Sequence, residues 1–383
     1  MTTLLLFVIY ISFISLGLPD SILGSAWPIM YQELNVPVSY AGIIAIIIAF
    51  GTIVSSLQSD RLTLKLGAGK VTAISVLLTA FALYGFSISS SFWMLCLFAI
   101  PYGLGAGSVD ACLNNYVALH YKGWHMSLLH CMWGVGAVTG PNIMAFALTR
   151  NLGWNKGYLY ISILQMILTA ILFFSLPIWK KREKVVDGKE AKTLTLREVV
   201  KIKGVKEVLI CFFCYCGVEQ SAGLWASSYL NLYKGVNAEE AARFASMFFI
   251  GITVGRGLNA FIAMHLTDKT MVRIGLVIIA IGLICMFIPG PALLSLCGLI
   301  LIGLGCAPIY PSLIHATPTS FGADKSQAVI GIQMAFAYIG VLALPPLFGV
   351  IADITSIAYL PIYITILFLV MLFSFERLQK KIK

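Results

Sequence analysis

The chain has 383 residues, 59% of them hydrophobic and only 11% charged, whereas soluble domains carry about 25% charged residues, which argues against a water-soluble enzyme. The formal net charge of +10 would suit a nucleic-acid binder, but residues 180–207 hold ten Lys/Arg against five Asp/Glu, and residues 376–383 hold four against one. A basic excess confined to stretches that flank apolar runs is a membrane-topology signal, not a nucleic-acid footprint.

Apolar runs separated by turn signals predict twelve spans, at about 4–32, 38–59, 70–89, 92–118, 126–149, 157–178, 207–233, 240–264, 272–289, 292–315, 326–351 and 357–375. Runs of this length are helices, because lipid offers the backbone no other partners and the alternation of barrel strands is missing. The expected fold class is an all-α membrane protein of twelve transmembrane helices. It divides into an N-terminal six-helix bundle over 1–178, a cytoplasmic linker over 179–206 and a C-terminal six-helix bundle over 207–383. No basic region precedes the first apolar run, so it reads as a retained span. On one side of this map lie 21 Lys/Arg and on the other only Arg150, Lys156, Lys234 and Arg243, which predicts both termini and the linker in the cytoplasm of a cell inner (plasma) membrane. Internal duplication is expected from two echoes at an offset of 200: Gly17 and Ser21 with Gly217 and Ser221, and Gly103-Leu104-Gly105 with Gly303-Leu304-Gly305. In the linker, Leu194, Leu196, Val199, Val200 and Ile202 alternate with Arg197, Lys201 and Lys203, a pattern that suits a short helix on the inner membrane surface or a solvated connection.

Of nine cysteines, six are scattered singly through apolar runs, and Cys211, Cys214 and Cys216 contain one CxxC without a second pair or a nearby His. Neither a disulfide framework nor a metal site is expected, and no cofactor. Gly134, Gly136 and Gly140 before Pro141 follow no strand and read as helix packing rather than a nucleotide loop.

A charge inside a span costs at least about 2.5–3.5 kcal/mol, so each one demands a reason. In span 1, Asp20 follows Gly17 and Pro19, which weaken the helix; a broken span beside an acid suits a midplane binding site, and solvation near the outer surface is the bland alternative. Asp110 in span 4 shares a helix face with Asn114, Gly103 and Gly107, and His130 opens span 5 at a depth that meets Asp110 or Asn114. A shielded carboxylate and an imidazole can take up and release a proton within a transport cycle; a structural hydrogen bond is the competing reading. Glu219 and Gln220 occupy span 7, with Trp225 two turns on, as an opposite wall. Arg256 in span 8 is a gating element that snorkels or pairs between helices, or else a substrate contact. Trp27, Trp133 and Trp225 offer faces for a sugar ring, or serve as ordinary anchors, and Asn114, Asn142, Gln220 and Gln333 offer amides for hydroxyls.

The six-plus-six arrangement, the basic linker and the stretch Ser59-Asp60-Arg61-Leu62-Thr63-Leu64-Lys65-Leu66-Gly67 resemble the major facilitator superfamily. Its signature is a Gly-x-x-x-Asp-Arg-x-Gly-Arg-Lys run; here Ser56 and Thr63 stand where glycines are usual, while Asp60 and Arg61 match the charged pair associated with gating. The chain is further similar to the fucose:proton symporter family through Gly103-Leu-Gly105-Ala-Gly107-Ser-Val-Asp110-Ala-Cys-Leu-Asn114, Leu129-His130, Gly134-Val-Gly136-Ala-Val-Thr-Gly140-Pro141 and Pro308-Ile-Tyr310-Pro311-Ser312. That resemblance implies proton coupling and sugar binding at the acids of spans 1 and 4, which Asp20 and Asp110 match. Gly136-x-x-x-Gly140-Pro141 also resembles the span-5 motif of drug:proton antiporters.

The expectation is a secondary transporter, monomeric, using alternating access. Its partners are the bilayer, a small polar solute such as a monosaccharide, and a proton, with sodium as the other candidate ion. Export of amphipathic compounds is the alternative; a transport-dead receptor and an intramembrane enzyme are remoter.

Overall fold

The computed structural model describes residues 2–20, 22–37, 40–179, 185–186, 189–190 and 193–382. Ser21 and five of the linker's ten basic residues (Lys180, Lys181, Arg182, Lys184 and Lys192) lie outside the described residues. Seven helices come first: α1 (Thr2–Gly17), α2 (Ile22–Glu33), α3 (Ala41–Leu66), α4 (Ala68–Ile88), α5 (Phe92–His120), α6 (Gly123–Thr149) and α7 (Trp154–Ser175). A two-residue antiparallel ladder, β1 (Val185–Val186) with β2 (Lys189–Glu190), lies in the linker. Then follow α8 (Leu196–Lys201), α9 (Val205–Ser228), α10 (Ala238–Ile262), α11 (Asp268–Phe287), α12 (Ala292–His315), α13 (Thr317–Phe321), α14 (Ser326–Ile354) and α15 (Leu360–Lys381). The fold is all-α apart from that ladder. Among the described residues, eleven segments are long and apolar enough to cross a membrane, and α10, with a shorter apolar stretch over Met247–Ile262, occupies the place of the eighth predicted span, 240–264.

Two compact units form, residues 1–116 with 129–194 and residues 117–128 with 195–383. In each, large apolar side chains stand exposed on the spans. Phe50, Trp93 and Phe174 in the first unit and Leu232, Phe261 and Ile354 in the second are two-thirds exposed or more. A water-soluble monomer rarely shows so much apolar surface, and hydrocarbon is the solvent that suits it.

The break read from Gly17 and Pro19 is present in span 1: α1 stops at Gly17 and α2 starts at Ile22, because Pro19 supplies no N–H and the chain turns through bonds from Asp20 N to Gly17 O (3.2 Å) and Ile22 N to Pro19 O (3.3 Å). One predicted boundary needs correction. The charged signature expected between spans 2 and 3 is mostly helical, since α3 runs on to Leu66 and the chain reverses at Gly67, whose φ of +81° suits only glycine well. Part of the linker's amphipathic pattern folds as α8, opened by a capping box in which Thr195 Oγ1 accepts from Glu198 N and Glu198 Oε2 accepts from Thr195 N. Helix ends of the second unit are tied by ion pairs: Lys381 to Glu207 (2.6 Å), the fork of Arg273 on Glu376 (2.9 and 2.7 Å), and His315 to Asp268 (2.7 Å).

Candidate functional site

The first unit gathers its polar groups around the break in span 1. Asp20 is accessible there, and its carboxylate accepts from Trp133 Nε1 of α6 at 2.8 Å and from the Tyr102 hydroxyl of α5 at 3.3 Å. Trp133 reaches Asp20 because α1 and α6 touch backbone to backbone. A Cβ on Gly136 would lie 2.0 Å from Ile14 O, and one on Gly140 would lie 1.9 Å from Leu18 O. Small residues at such a crossing are what let two helices close to this distance in a membrane.

Two turns along α5 from Tyr102, about 12 Å, Asp110 begins a second polar group. Asn114 Nδ2 donates to Asp110 Oδ1 at 2.8 Å, and Asn114 Oδ1 lies 3.1 Å from His130 Nε2. All three are buried, and the ring of Phe13 from α1 packs perpendicular to the imidazole with centroids 5.5 Å apart. His130 thus meets the amide, and approaches Asp110 through it. A further set, which sequence reasoning missed, ties α1, α4 and α7: Thr79 Oγ1 donates to Gln165 Oε1 (2.6 Å), and Gln165 Nε2 donates to Ser15 O (2.9 Å). With Ser12 and Tyr102 these residues line a cavity of about 10 Å³, close to the smallest space that holds one water. Gln165 was legible as an amide alone in an apolar run, since such a group needs a partner as much as a charge does.

In the second unit the buried acid has a cationic partner. Glu219 Oε2 accepts from the Tyr215 hydroxyl one turn earlier on α9 and lies 3.5 Å from Arg256 Nη2 of α10. Tyr215 also packs beside Tyr310 of α12, centroids 5.6 Å apart. Arg256 therefore does not snorkel; it is 6% exposed and forms the interhelical salt bridge that was the other half of that expectation. Tyr215 went unpredicted, although its i, i+4 spacing to Glu219 puts both on one face.

Several expected solute contacts are engaged elsewhere. Trp225 Nε1 donates to Pro345 O at 2.9 Å, and its ring meets Phe348, so it joins α9 to α14. Gln333 is fully buried and bonds Thr317 Oγ1 at 3.1 Å, so no solute reaches it in this structure. Asn142 lies nine residues beyond Trp133, which puts it on the opposite face of α6. There it donates to Val138 O at 2.7 Å and lines an apolar groove of about 540 Å³ with Ile143, Phe146, Tyr160 and Leu164. Gln220 is partly exposed next to Glu219. Of the signature pair, Asp60 is buried in α3 and its Oδ2 lies 3.4 Å from Leu194 N, while Arg61 is exposed.

The profile of the Major Facilitator Superfamily matches residues 9–327 and, again, residues 208–382. Bypass of stop codon protein 6 of Saccharomyces cerevisiae is 24% identical over 96% of this chain and 80% of its own length. A protein of Danio rerio named sodium-dependent glucose transporter 1 is 24% identical over 88% of this chain, which spans 62% of that protein. Among solved structures, the E. coli fucose:proton symporter FucP superposes with a TM-score of 0.73 at 17% identity, covering 96% of this chain and 97% of that one. The proton:xylose symporter XylE superposes with a TM-score of 0.80 at 12% identity, covering 99% and 95%. These likenesses establish the fold, and the profile match over most of the chain establishes the family that the Asp60-Arg61 signature resembled. The chain belongs to the Major Facilitator Superfamily and is a multi-pass membrane transporter.

Proposed function

We propose that this transporter couples the inward movement of a proton to that of a monosaccharide or similar small hydroxylated solute. It works as a monomer, by alternating access, in a cell inner membrane with both termini cytoplasmic. The observation that carries this reading is Asp20, an accessible carboxylate in a helix break, held between an indole and a phenol. A carboxylate accepts from paired hydroxyls, and the adjoining indole offers an apolar face to the C–H side of a sugar ring. Asp110, with Asn114 and His130, is assigned the coupling proton, Gln220 and Glu219 a lining role in the second unit, and Asp60 and Arg61 the gating. Solute and proton must bind the outward-open and inward-open states unequally, or they shift no population. Relatives named for sugars support the solute class; they divide on the ion, one being named for sodium and the two solved symporters for protons.

Uptake of a panel of radiolabelled monosaccharides into proteoliposomes, driven by an inward pH gradient, by an inward sodium gradient or by neither, tests the reading. Accumulation of at least one sugar with the pH gradient alone is expected. Accumulation with sodium alone would move the coupling to that ion, and accumulation of none would remove the sugar. The second reading, export of amphipathic compounds, draws on the apolar groove beside Asn142 and predicts gradient-driven extrusion of a hydrophobic cation from the same vesicles.

A further inference from the structure

Asn114 sits between two titratable side chains and touches both. Its Nδ2 donates to Asp110 Oδ1 at 2.8 Å and to the main-chain Asp110 O at 3.0 Å; its Oδ1 lies 3.1 Å from His130 Nε2. An amide's oxygen and nitrogen can usually be exchanged to suit a network. Here the main-chain carbonyl decides, because it is an acceptor in every protonation state of its neighbours. A flipped amide would exchange that N–H···O contact for two oxygens 3.0 Å apart, a repulsive pairing in a site from which water is excluded. The amide is pinned by the backbone of its own helix, one turn back.

We infer that Asn114 is a positioning residue that fixes which nitrogen of His130 carries the permanent proton. An acceptor facing Nε2 requires a hydrogen there in the neutral and the cationic ring alike. The exchangeable proton of His130 is then the one on Nδ1, at the other edge of the imidazole. No proton passes directly from Asp110 to His130 along this contact, since the pinned amide presents N–H to the acid and carbonyl to the ring. The two groups are separately addressed proton sites held in register by one side chain. This goes beyond the proposed symport: it concerns the state of the imidazole, and its test needs no transported solute.

Protein labelled with ¹⁵N in the histidine rings, reconstituted in lipid, is compared with a His130→Gln sample to isolate the His130 signals. The pH is then raised until one ring nitrogen loses its proton. Loss from Nδ1 with Nε2 still protonated is expected, with a downfield Nε2 proton. In Asn114→Leu, the Nε2 proton is expected to move upfield and an Nδ1-protonated fraction to appear. Loss from Nε2 in the wild-type protein overturns the inference whether or not the variant folds, as does an Asn114→Leu spectrum identical to wild type.

Discussion

Each unit holds an acid within a segment long and apolar enough to cross a membrane, beside a tyrosine, but the two acids are partnered differently. Asp20 is held by Tyr102 and Trp133, both neutral donors, in a helix break that leaves it accessible. Glu219 is held by Tyr215 and Arg256, a donor and a cation, inside continuous helices that bury it. A proton added to Asp20 leaves no orphaned charge, whereas a proton added to Glu219 strands a guanidinium in low dielectric. In the proposed cycle an acid with neutral partners can change charge without stranding a neighbour, whereas the Glu219–Arg256 pair ties α9 to α10.

The comparison breaks most sharply at Glu219. Glu219→Gln leaves Arg256 as a buried uncompensated cation and should cost about 3–5 kcal/mol, read as a large fall in the thermal unfolding temperature of the purified protein. Adding Arg256→Gln should recover most of that loss. A single variant as stable as wild type would show that the pair is not the structural element described.

The first unit depends instead on approach distance. Gly140→Ala sets a methyl group against Leu18 O, and overpacking of this kind costs about 1–3 kcal/mol while prising α1 from α6. Loss of stability, with a change in Trp133 fluorescence as its bond to Asp20 lengthens, is the expected result. Asp20→Asn should destabilise by only about 1 kcal/mol, because the amide oxygen still accepts one of the two donors. Its main effect falls on transport, and a loss as large as that of Glu219→Gln would erase the difference between the two acids. The smallest effect is expected of Asn142→Ala, whose amide bonds its own helix beside an apolar groove: sugar uptake should be unchanged, and a tenfold loss would bring the groove into the pathway.

What was legible in the sequence follows from cost. Apolar runs and the penalty on intramembrane charge exposed the spans and the five groups Asp20, Asp110, His130, Glu219 and Arg256, and Pro19 with Gly17 marked the break beside Asp20. Asn114 and His130 could be paired because a shared helix face and a matching depth are properties of spacing. Direction is not. Trp225 and Gln333 have the composition of solute contacts, yet Trp225 turns to Pro345 O, far along the chain, and Gln333 turns inward to Thr317 on the short preceding helix. Asn142 and Trp133 belong to one helix, but half a turn of phase separates an apolar groove from the carboxylate of Asp20. Gln165 and Tyr102 were passed over because neutral polar groups raise a weaker alarm than charges, although they connect the first unit's interior. The length of α3 was misjudged because Asp60 reads as a loop residue until Gly67 is seen to be where the helix ends.

The coupling assignment of Asp110 meets its most direct test in two transport assays on one variant. In proteoliposomes, Asp110→Asn should abolish pH-gradient-driven accumulation of the transported sugar while leaving its one-for-one exchange across the membrane measurable. Accumulation equal to wild type would contradict the account and remove Asp110 from the path of the proton.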